Sequence, residues 1–132
     1  MSSAPRLPQR QLLSFASLVE TATGAALVVA PAFVIKLLLG AGVWGTGVAV
    51  GRVAGLVMLA LGFAGWPSPP PADSSAAFRG LLFYNASVAL YLAFLGTVRH
   101  VGGLLLWPAV VLHGAVALLL VWTWRTGRAA PR

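Results

Sequence analysis

Glu20 lies about a third of the way along an apolar stretch, residues 12–35, and the other acid of the chain, Asp73, lies in a polar segment. A carboxyl group inside a segment long enough to cross a bilayer costs roughly 2.5–3.5 kcal/mol on insertion scales, so it must face protein or water. Later apolar stretches supply partners of suitable chemistry: Arg52, Tyr84, Asn85 and His113. Counted at ~1.5 Å per residue from the side where the termini are expected, Glu20 lies ~12 Å deep, Asn85 ~13 Å and His113 ~16 Å. The three can therefore meet in the centre of a bundle. Arg52 comes deeper, ~20 Å by the same count, with a side chain long enough to reach toward Glu20 or out to water.

One reading of these residues is an acid–imidazole pair, Glu20 with His113, tuned by Asn85, Tyr84 and Arg52 and able to bind a proton or a polar ligand. The other is packing: interhelical hydrogen bonds, worth only ~0.6 kcal/mol each on average, hold helices in register, and an arginine near a boundary snorkels. Both stay open on the sequence. Other chemistries fit poorly. The chain has no cysteine, which removes disulfides, thiolate metal sites and cysteine nucleophiles. His100 and His113 lack the spacing of metal ligands, so no metal is expected. There is no phosphate-cradling loop, Gly-x-Ser-x-Gly elbow or His-Glu-x-x-His. No cofactor is expected, although a quinone or a haem is compatible with Glu20 and His113.

The elements that would position these groups are membrane spans. A hydrophobic content of 59% with 8% charged residues lies far from the ~25% charged of soluble proteins. The expectation is an all-α, polytopic membrane protein, one domain over residues 1–132, built as a four-transmembrane-helix bundle. The spans fall at about 12–35, 48–66, 76–98 and 104–124, with tails at 1–11 and 125–132. Ser17, Glu20, Gly24, Leu27 and Pro31 follow spacings of three and four and share one small, polar helix face. Pro31 is expected to kink or loosen that first helix. In the second span Gly47, Gly51, Gly55 and Gly62 form a smooth stripe for close helix contact. Pro67 and Pro69–Pro71 break the chain, and Asp73, Ser74 or Ser75 can cap the third helix.

The basic residues, net charge +7, are scattered beside the apolar segments, which argues for membrane anchoring and against nucleic acid as a partner. Arg6, Arg10, Arg79, Arg125, Arg128 and Arg132 share one side and Lys36, Arg52 and Arg99 the other, six against three. The excess places both termini in the cytoplasm. Trp66, Trp122 and Trp124 at one boundary and Trp44 and Trp107 at the other agree with aromatic belts.

In helix number, size and the run Gly51-Arg52-Val53-Ala54-Gly55-Leu56, the chain resembles DoxX-like small four-helix bacterial membrane proteins. That resemblance implies a multi-pass protein of the bacterial inner membrane and, through members described as membrane subunits of quinone-linked oxidoreductases, an accessory subunit. The chain is also similar to the small multidrug resistance transporters, four-helix proteins with an essential carboxylate in the first helix, a role that would fall to Glu20. It departs from them in carrying Arg52 and His113 within later spans. The leading expectation is thus a non-enzymatic accessory or interaction subunit with a polar centre around Glu20, working in the lipid bilayer as a homo-oligomer or with another membrane subunit. The alternative is a proton-coupled transporter of small molecules using Glu20. A third reading is a quinone-binding or redox membrane subunit, with Glu20 and His113 as acid and base.

Overall fold

The computed structural model describes residues 9–66 and 76–128, which are all-helical, with no strand among them. Five helices follow one another: α1 (Gln9–Val29), α2 (Pro31–Leu39), α3 (Thr46–Gly65), α4 (Ala76–Thr97) and α5 (Leu106–Arg128). Four of them, α1, α3, α4 and α5, are long and apolar enough to cross a membrane. Their outer surfaces expose Phe15, Val53, Phe63, Phe83, Leu90 and Leu118, side chains that lipid solvates as well as a protein interior would. The proline segment, its capping candidates Asp73, Ser74 and Ser75, and the outermost tail residues lie outside the described residues.

The first expected span is two helices. Pro31 has no N–H to give Leu27 O, and Ala30 adopts φ −134° and ψ 60°, so α1 stops at Val29 and α2 starts afresh with Pro31 in its first turn. α2 has nine residues, about 14 Å, too short to cross a bilayer. It ends at Gly40, whose φ of 75° is the left-handed conformation that closes a helix and lets its N–H reach Lys36 O at 2.8 Å. The ends of the long helices also run past the apolar segments. α1 begins at Gln9 and α5 continues to Arg128, because Gln, Arg and Leu favour the helix whether or not lipid surrounds them.

Every third or fourth residue of α1 turns inward: Leu13, Ser17, Glu20, Gly24 and Leu27, followed by Pro31 on α2, are buried. α3 answers with buried Gly51, Gly55, Met58, Gly62 and Gly65. The helices approach to backbone contact. A Cβ on Gly24 would stand 2.7 Å from Gly55 O and 2.8 Å from the Leu59 nitrogen, and a Cβ on Gly55 would meet Gly24 O at 2.7 Å. This is the close approach that a small-residue seam permits. Gly62 lies over the Ser17 and Thr21 turn and Gly51 over Pro31. Gly47 stands apart, against Val43 of its own loop.

α4 and α5 form the second closely packed pair, and the two pairs meet differently at their two ends. At the end bearing Gln9, Gly65, Ala76 and Arg128, the near end, Leu13, Ala16, Phe78, Leu81, Val116 and Leu120 form a dry core. At the far end the 98–105 turn crosses from α4 to α5 over α2. Leu105 N–H donates to Leu37 O at 2.9 Å, satisfying a carbonyl that the end of α2 leaves open. Gly103 lies so close to the Leu37 and Leu38 backbone that no Cβ fits.

Candidate functional site

Midway between the two ends, α1, α4 and α5 bring polar groups together. Glu20, on the inward stripe of α1, is 1% exposed, as is Asn85 on α4. The Tyr84 hydroxyl lies beside the Glu20 carboxyl group. Glu20 Oε1 lies 3.9 Å from His113 Nδ1, the outer limit of an ion pair. Glu20 Oε2 is buried without a hydrogen-bond partner, as is Ser17 Oγ one turn earlier on the same helix.

Asn85 orients the imidazole. Its Nδ2 donates to Leu81 O at 2.9 Å, so the amide turns Oδ1 toward α5, where it lies 2.8 Å from His113 Nδ1. A carbonyl oxygen only accepts, so Nδ1 carries the proton of this bond. Tyr84 packs its ring against the imidazole edge to face, with centroids 5.8 Å apart and planes at 78°. The ring is therefore held by an amide on one side and an aromatic on another.

Tyr84 and His113 form the polar floor of a cavity of about 600 Å³ that extends from this centre toward the far end. Leu27, Ile35, Met58, Val88 and Leu112 build its walls, with Thr23 and Ser87 as further hydroxyl groups and exposed Tyr91 at its rim. Tyr91 stacks on Phe94, 24° from parallel with centroids 6.4 Å apart. A mostly apolar space with a few convergent polar groups is the ordinary form of a small-molecule site. Among the described residues no three histidines, cysteines or acids cluster to hold a metal ion.

The structure thus brings together Glu20, Tyr84, Asn85 and His113 and leaves Arg52 elsewhere. Arg52 is exposed on α3, where its Nε donates to Val28 O at 3.3 Å. Val28 sits just before the break at Ala30, so the guanidinium supplies a donor where the helix ladder is interrupted. Ser17 was legible only as part of a small face. The apolar cavity walls carry no sequence signal of their own, because leucine and valine read alike whether they border space or a neighbour. Comparison with protein-family models, curated proteins and solved structures finds no match to the chain.

Proposed function

We propose that this chain is a non-enzymatic, multi-pass protein of a bacterial inner membrane, with both termini cytoplasmic, that serves as an accessory subunit by holding a lipophilic molecule with a polar head. The observation that carries this reading is the cavity of about 600 Å³ with apolar walls and Tyr84 and His113 at its floor. The six-to-three distribution of basic residues supports the orientation. Assembly with itself or with another membrane subunit belongs to the same reading. The test is native mass spectrometry of the protein extracted in lipid nanodiscs, wild type against Ala109→Trp, which fills the cavity from its α5 wall. A small molecule that travels with the wild type and is lost from the variant is the expected result. Equal retention by both, or no retained molecule, overturns it.

The proton-coupled carrier is the second reading, favoured by the buried Oε2 of Glu20, which has no partner beside the cavity floor. Glu20→Gln should then abolish transport while leaving the bundle folded, and retained transport removes the carrier. The third reading is a quinone-binding subunit, whose ligand in its reduced, hydroxyl-bearing form would find an acceptor at His113. A haem would find one imidazole, since no second histidine lines this cavity.

A further inference from the structure

The hydrogen-bonding sense of the cavity floor follows from bonds made behind it. Leu81 O takes a proton of the Asn85 amide and thereby presents Oδ1 to the imidazole. In the neutral ring the proton sits on Nδ1 and Nε2 keeps its lone pair. The ring lines the cavity and Nε2 has no partner among the described residues. Tyr84 stands beside the ring, edge to face, and lines the same floor. Glu20 Oε2 behind the floor is an unpartnered buried oxygen as well. A side chain that could have donated to the cavity is turned into an acceptor.

Resting on the binding role proposed above, we infer that the cavity selects lipophilic molecules whose head donates a hydrogen bond, a hydroxyl or an ammonium group, over molecules of the same shape whose head only accepts. A donor head satisfies His113 Nε2. An ether, ester or ketone sets its lone pairs against that of Nε2 and leaves the nitrogen unpaired, even where a wall hydroxyl of Thr23 or Ser87 reaches the head. The asymmetry is large because an unmade hydrogen bond in a buried site costs more than a made one contributes, and sites built around one polar partner reject analogues that lack it.

The experiment is photolabelling of the full chain in phosphatidylcholine nanodiscs with a diazirine-bearing hexadecanol, followed by peptide mapping. Unlabelled hexadecanol, hexadecylamine, hexadecyl methyl ether and methyl hexadecanoate serve as competitors. Label is expected on the α4 and α5 peptides around Val88 and Leu112, with the alcohol and the amine displacing it about tenfold more effectively than the ether and ester, the ratio expected from one such bond. In His113→Phe, which keeps a ring and removes Nε2, that preference should fall to about twofold or less. Should the single variant fail to fold because Asn85 is left unpaired, Asn85→Leu/His113→Phe removes both partners together and carries the same expectation. Ether or ester competing as well as alcohol at labelled cavity peptides overturns the donor-head inference and leaves the binding role standing. A preference unchanged in the folded variant also overturns the inference. No saturable label at those peptides overturns both.

Discussion

Cut across at the level of Glu20, the bundle has two halves made of the same apolar residue types and packed in opposite ways. In the near half Phe78, Leu81 and Leu120 are wholly enclosed, in one cluster of buried side chains from α1, α4 and α5. In the far half Leu27, Val88 and Leu112 face a cavity of about 600 Å³. Composition does not distinguish them. The difference lies in the backbone: α1 runs unbroken through the near half, whereas beyond Val29 the Pro31 break turns the chain into α2. A glycine contact holds α3 against α1 at Gly24 and Gly55, and Arg52 holds the carbonyl beside the break. The far half is open because its helices are held apart by a defined break, with the polar floor at the boundary between the halves.

The largest stability effect expected from breaking that contrast is Phe78→Ala in the closed half. In lipid the transfer gain of a soluble core is absent, so the cost is lost packing alone, about 2–3 kcal/mol against the ~3–5 kcal/mol of Phe→Ala in soluble proteins. Reversible unfolding by dodecyl sulfate titration reads it, and a cost below ~1 kcal/mol would mean that the near end is not a tight core. At the boundary, Tyr84→Phe removes the hydroxyl beside the buried Glu20 carboxyl group, with an expected loss of roughly 1–3 kcal/mol. The same titration checks it, and no loss in Tyr84→Phe would show that the Tyr84 hydroxyl adds nothing to stability. The smallest effect is expected for Val88→Ala in the open half, under ~1 kcal/mol, because atoms that border space have few contacts to lose. A cost equal to that of Phe78→Ala would mean the cavity is filled and closed in the folded protein.

Much of this arrangement is written in local pattern. The lengths of the apolar runs place the second, third and fourth spanning helices within a few residues of their bounds; the first, expected to reach residue 35, ends at Val29, and Pro31, where a kink or loosening was expected, starts a separate helix. Spacings of three and four in α1 put Ser17, Glu20, Gly24 and Leu27 on its buried face, and similar depths allow Glu20, Asn85 and His113 to meet. What local pattern misses is choice among partners within reach. Arg52 had two directions open to it and takes Val28 O; Tyr84 had a packing role and a polar one and makes both contacts. Gly47 continues the glycine repeat but lies where α3 has not yet reached α1.

The sequence by itself determined the helical spans, the break at Pro31 and the inward face of α1, since each follows from apolar length, a missing N–H or the 3.6-residue period within one segment. Only the tertiary structure decided which oxygen of Glu20 is left without a partner, which nitrogen of His113 meets Asn85, and that a cavity exists. Those outcomes depend on where helices cross and how far they diverge. Crossing is set by pairs of residues such as Gly24 and Gly55, thirty-one positions apart, whose contact no single segment encodes.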